Sequence, residues 1–275
     1  MSRKGDLQLI GKIIVKGILV TKTGLRIGGS SGGLKIGGLD LNVITDPDDK
    51  PYIPGSSLKG KMRSLLEQVE SNGKSEYYND NYGKTHACKT EEAYKKCPVC
   101  KIWGTIRGGD FTIPTLTRLI VRDAFLRIKD DESQEFWKRI QDNIELTWTE
   151  VKMETAIDRI NGSALRGSLR QIERVPAGAT FNWVLSFNVF DESDKDLFKK
   201  VFEAMALLEN DYLGGMGSRG YGQVAMKNIE VYWNSKADYE NGTIEIEPNR
   251  KINADTQDTP ANLIQNFATL KSKLS

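Results

Sequence analysis

Apolar residues fall into two rhythms along this chain, separated by polar and glycine-rich spans. Leu7 to Leu19 is rich in Ile, Val and Leu and short of turn residues, which predicts a long first strand. Further strand-like runs lie at 117–128, 149–158, 179–190 and 221–233. Helical spacing takes over in LKGKMRSLLEQVE. There Leu58, Met62, Leu65, Leu66 and Val69 share a face, and Ser56 and Ser57 can cap the start. DKDLFKKVFEAMALLEN (194–210) keeps the same period, and Thr259 followed by Pro260 predicts a last helix. The order reads β-α-β-β-α-β with large inserts, an α+β class with no internal repeat. One domain is expected over 1–233, with insertions at 71–107 and 151–178. A polar tail at 234–275 carries the terminal helix.

Composition narrows the class only modestly. With 275 residues, 39% hydrophobic and 28% charged, the chain can bury a full core. A net charge of +2 means that any nucleic-acid surface must be local. No apolar run reaches membrane-spanning length, and MSRKGDLQLIGK lacks the apolar core of a signal peptide. Three cysteines, two of them in CPVC, suit a reducing compartment, so a cytoplasmic location and no membrane partner are expected.

Two glycine motifs mislead. Gly215-Met-Gly217-Ser-Arg-Gly220 matches the dinucleotide fingerprint, but it leaves a helix and enters a strand, the reverse of what a pyrophosphate site requires. GSSLKGKM approaches a phosphate-binding loop, yet Met62 stands where a hydroxyl must reach magnesium. What survives is a helix start with Ser56, Ser57, Lys59, Lys61 and Arg63, either an anion site or a capped, solvated terminus.

THACKTEEAYKKCPVC sets His86, Cys88, Cys97 and Cys100 in an HxC…CxxC arrangement. Three thiolates and one imidazole suit a structural zinc with no open position. A redox dithiol and unrelated thiols are the rivals, but redox motifs of this kind open a helix after a core strand. His86 is the chain's single histidine. If metal holds it, paired-histidine nuclease chemistry, a Ser-His triad and a Cys-His dyad are all excluded. Attention then moves to GGSSGGLKIGGLD, three Gly-Gly pairs ending on Asp40. Such backbone loses much entropy on ordering, and a carboxylate at its end could hold a divalent cation or act on a hydroxyl. An ordinary loop aspartate with a local turn bond is the alternative, and it explains Asp46, Asp48 and Asp49 better. Glu154, Asp158 and Glu173 are second-choice acids.

IGGSSGGLKIGGLD, PYIPGSSLKGKMRSLLE, CPVCKIWG, RLIVRDA, RQIERVPAG and GGMGSRGYGQV occur in this order. Together they resemble the backbone subunit of type III-A (Csm) CRISPR effector complexes, of the RAMP superfamily, from the first strand to Val224. The resemblance implies a ferredoxin-like (RRM-like) core with insertions. It implies stacked copies along a CRISPR RNA, other Csm subunits as partners, and cleavage of paired target RNA at regular intervals with Mg2+ or Mn2+. The family's catalytic acid falls on Asp40, as metal ligand or as base. Since base pairing reads the sequence, the protein must hold sugar and phosphate. Arg26, Gly28 and Gly29, the Ser56–Arg63 helix start, and Gly217, Ser218 and Arg219 are the expected guide-holding surfaces. Span 151–178 is the candidate for the family's thumb. A catalytically silent guide scaffold and the equivalent type III-B subunit stay open as alternatives.

Overall fold

The computed structural model describes residues 8–29, 41–74, 78–79, 84–105, 111, 113–243, 251–253 and 258–274. Asp40 lies outside them, as do the residues between it and Gly29.

In chain order the elements are β1 (Gly11–Thr21), β2 (Tyr52–Ile53), α1 (Gly55–Glu70), β3 (Tyr78–Asn79), β4 (Thr85–His86), α2 (Glu91–Lys96) and α3 (Pro98–Trp103). There follow β5 (Leu119–Val121), β6 (Ala124–Leu126), α4 (Asp131–Ile140), β7 (Glu150–Glu154), β8 (Arg170–Arg174), β9 (Thr180–Val189), α5 (Glu192–Leu197) and α6 (Lys199–Glu209). The chain closes with β10 (Val224–Ser235), α7 (Lys236–Glu240), α8 (Pro260–Gln265) and α9 (Phe267–Lys271).

β1 lies between β10 and β9 in an antiparallel sheet ordered β10-β1-β9-β6-β2, with β5 also on β9. Period-two alternation sends one side chain in two to the helical side. Ile13, Val15 and Leu19 of β1 and Phe181, Trp183, Leu185 and Phe187 of β9 are all buried there. α1 and α6 pack on one another over that face. Their Leu58, Met62, Leu66, Phe202, Met205 and Leu208 are fully buried, each stabilising by about 1.5–3 kcal/mol relative to exposure.

Four departures from the sequence reading have local causes. The run 117–128 splits into β5 and β6 at Arg122-Asp123, where the Asp123 carboxylate turns away to accept the Gly55 N–H at 2.7 Å. The helix read at 194–210 begins earlier, at Glu192, because Asp191 and Asp194 form a reciprocal capping box, and it breaks at Phe198. Asp130 caps α4, which had not been anticipated in so charged a span. The tail is no appendage, since Leu263, Phe267, Leu270 and Leu274 are buried in the main core.

Among its described residues, span 71–107 is rooted in the core. Tyr94, Val99, Ile102 and Trp103 join the same core cluster. Arg118, 3% exposed, bonds the Tyr94 hydroxyl at 2.9 Å and Asp194 at 3.1 Å, fastening the span to the sheet and α5. β7 and β8 form a separate two-stranded hairpin, in register from Glu150–Arg174 to Glu154–Arg170.

Candidate nucleic-acid interface and metal centre

After α6 the chain doubles back through Asp211–Gly222 and lies against Gly24–Gly29. Gly214 has φ +79°, and a Cβ there would fall 2.2 Å from the Arg26 carbonyl oxygen. The neighbouring Gly215 N–H donates to that oxygen at 2.8 Å, and the Gly222 N–H donates to Gly24 at 3.0 Å. The Arg26 guanidinium fills the room left by two absent side chains. Its terminal nitrogens stand 3.2 and 3.3 Å from where the Cβ atoms of Gly28 and Gly215 would be. Its Nε is buried without a hydrogen-bond partner among the described residues.

Lys61 of α1 reaches the same loop. Its Nζ lies 3.7 Å from the centre of the Tyr212 ring and 3.1 Å from Asp211. Gly217 packs on that ring so closely that a Cβ would sit 1.9 Å from it. One loop thus brings Arg26, Gly28, Lys61 and Gly217 together, with Ser218 and Arg219 exposed on its turn. Tyr212 was missed in the sequence, where its position just before the glycines was the available signal. Gly28 pairs with Val43, and Gly29 donates to Asn42 at 3.3 Å. The residues flanking 30–40 therefore run side by side.

The helix start differs from expectation. Neither Ser56 nor Ser57 caps α1; Pro54 precedes it, and the first amide is already taken by Asp123. An internal carboxylate holds the place proposed for an anion. Lys59 donates to the Leu119 carbonyl at 2.9 Å, and burial, helped by nearby Arg63, pulls its ammonium pKa below the usual value. Arg63 bonds Glu67 and the His86 carbonyl, both at 2.7 Å. Of the three cations in this segment, Lys61 alone turns to the glycine loop.

The second-choice acids are also engaged. Glu154 accepts the Tyr221 hydroxyl at 2.8 Å and faces Lys152 and Arg219, each at 3.6 Å. Burial pushes its pKa upward, but Tyr221 and the two cations outweigh it and the carboxyl titrates low. Burial, then the bond to Glu154, pushes the Tyr221 phenol up to about 12. Asp158 closes a local turn on the Ile160 and Asn161 amides. Both Glu173 oxygens are occupied, by the Val43 N–H at 2.8 Å and the Thr149 hydroxyl at 2.7 Å. Asp46 accepts from Asp48 and Lys50 in a tight turn, as read from the sequence.

His86, Cys88, Cys97 and Cys100 converge in the buried span, with their ligand atoms all within 4.8 Å of one another. His86 Nε2 stands 3.1 Å from Cys97 Sγ and 3.5 Å from Cys88 Sγ. Backbone amides already point at sulfur: Cys88 N–H donates to Cys100 Sγ at 3.4 Å, and Cys100 N–H donates to Cys97 Sγ at 3.3 Å. Hydrogen bonds from the Cys88 and Cys97 thiols hold the Cys100 thiol well below its ordinary range. The bond to Cys100 correspondingly raises Cys88. Four soft or borderline donors that close together are a set that could hold a metal ion.

The fold agrees with what the chain is related to. It belongs to the RAMP superfamily, whose sequence profile matches residues 18–225. It is 41% identical over 237 residues to the CRISPR system Cms endoribonuclease Csm3 of Methanocaldococcus jannaschii, covering 86% of each chain. Its identity to the Csm3 endoribonuclease of Streptococcus thermophilus is 38% over 214 residues, 76% of this chain and 84% of that one. The crystal structure of a Csm3-Csm4 subcomplex in the type III-A CRISPR-Cas interference complex matches at TM-score 0.56 and 30% identity, covering 95% and 97%. Methanopyrus kandleri Csm3, at 21% identity, shares the fold at TM-score 0.67, covering 97% and 99%. No helix among the described residues is long and apolar enough to cross a membrane.

Proposed function

We propose that this chain is the repeated backbone subunit of a type III-A interference complex, which holds CRISPR RNA and cuts the paired target RNA through Asp40. The observation that carries the reading is the 41% identity, over 86% of both chains, to a Csm3 endoribonuclease. A sheet order of β10-β1-β9-β6, with α1 and α6 on one face, supports a ferredoxin-like core. Arg26, Lys61 and the Gly214–Arg219 loop form the guide-holding surface, with backbone close enough to meet a sugar–phosphate chain. The hairpin of β7 and β8 is the thumb. Its far end leaves Ile160 94% exposed beside exposed Leu165 and Leu169, and an apolar wedge of that kind suits a kinked duplex. Further copies stack along the guide, and other Csm subunits complete the assembly.

Asp40 either fixes a divalent cation, Mg2+ or Mn2+, or takes the proton of the target 2′-hydroxyl as it attacks the adjacent phosphate. Glu154, Asp158 and Glu173 are held in other bonds, which leaves Asp40 as the acid of choice. The four-residue cluster fits zinc, with His86 and the three cysteines filling every position and none left for catalysis.

Complexes assembled with Asp40→Ala and given target RNA with Mg2+ or Mn2+ test the enzyme reading. Guide retention should be unchanged and every cut lost. Cuts at the same sites and rates would make the chain a scaffold.

A further inference from the structure

The helices cover one face of the sheet; the other carries a row that the glycine-loop surface does not use. Register places Lys227, Ile18, Asn182, Phe125 and Tyr52 side by side on β10, β1, β9, β6 and β2. Phe125 is 53% exposed, and Lys227 and Asn182 are exposed as well. Tyr52 and Phe125 stack with centroids 6.0 Å apart and planes 25° apart, so a further ring has the outer face of Phe125 available. Four strand spacings make this row roughly 19 Å long, enough for two or three nucleotides.

A cleft of about 320 Å³ opens beside Phe125 and Asn182, with Lys129 exposed on its rim. Its two acids are committed elsewhere. Asp46 accepts the Asp48 and Lys50 amides, while Asp130 caps α4 and pairs with Arg127 at 3.0 Å. The accessible chemistry is therefore aromatic faces, one amide edge and cations at either end.

We infer that this open sheet face is a second RNA site, taking single-stranded nucleotides outside the guide–target duplex, with a base stacked on Phe125 and Asn182 at its edge. Single strands are held by this combination of π-faces and cations, with little sequence preference. The proposal rests on the reading that this chain handles RNA, but not on Asp40.

The test uses complexes assembled with guide, so that the glycine-loop surface is filled, and a short 5-iodouridine oligonucleotide with no complementarity to the guide. Irradiation should attach it to the tryptic peptide spanning Asp123–Arg127. Phe125→Ala should weaken binding about 10-fold, Phe125→Tyr should restore it, and the melting temperature should hold because the ring is exposed. Unchanged affinity in Phe125→Ala, or attachment elsewhere, would overturn the site. A change in copies per complex with unaltered oligonucleotide binding would make this face a protein interface instead. Arg26→Ala with Lys61→Ala should lower guide retention without weakening the oligonucleotide's hold on complexes that keep their guide. Failure of the guide-holding reading and failure of this one are thus separable.

Discussion

Tyr221 shows how one residue ties the β7–β8 hairpin to the loop after α6. It is 1% exposed, donates to Glu154 of the hairpin, and lies beneath Lys152 at 4.8 Å and Arg174 at 5.0 Å. With its phenol pushed up to about 12, it remains a donor at neutral pH. Tyr221→Phe should cost about 1.5–3 kcal/mol in denaturant unfolding, the worth of a hydrogen bond to a charged acceptor. Because Glu154 titrates below its ordinary value when folded, this stability is present above the usual glutamate pKa of about 4.3. The gap between wild type and Tyr221→Phe should be constant at neutral pH and close as pH falls through the folded Glu154 pKa. Gly217 offers a second test. A methyl 1.9 Å from the Tyr212 ring must displace it from Lys61. Gly217→Ala should cost about 1–3 kcal/mol and weaken guide binding in a filter assay; wild-type retention would mean the loop does not hold guide.

At the level of elements, the alternating and helical rhythms were readable because burial enforces them. β1, β9 and α1 emerged near their expected bounds, and the helix expected at 194–210 is covered by α5 and α6. What periodicity could not convey was where polar side chains end. Asp123 sits 68 residues beyond Gly55, so nothing local announces that it caps α1. Lys59 and Arg63 look equivalent to Lys61 in sequence, yet a carbonyl of β5 and the backbone carbonyl of His86 claim them. The His86–Cys100 group was legible because a set of donors able to hold a metal needs these residue types close together. Arg63 couples that cluster to α1, so metal loss should be felt beyond the insertion. Elemental analysis should give one zinc per chain, and Cys97→Ser should abolish it. Losing several kcal/mol of folding energy would lower the melting temperature by on the order of 10 °C. A full-strength melting transition in metal-free protein would refute the staple.

For the whole molecule, the proposed function requires glycine-rich backbone to grip a guide by its ribose–phosphate chain on one side of an α+β body. The helices set that surface. α1 presents Lys61, and the turn after α6 presents Gly214 to Arg219 against Arg26. Sequence supplied these stretches and their order, but their convergence depends on a contact between residues about 190 positions apart. Photo-crosslinking of a guide carrying 4-thiouridine at successive positions, followed by peptide mapping of the assembled complex, tests this directly. Attachment should concentrate on peptides holding Arg26, Lys61 and Tyr212–Arg219, repeating at the spacing of the copies. Attachment confined to α8 and α9, or to the outer face of α4, would contradict it.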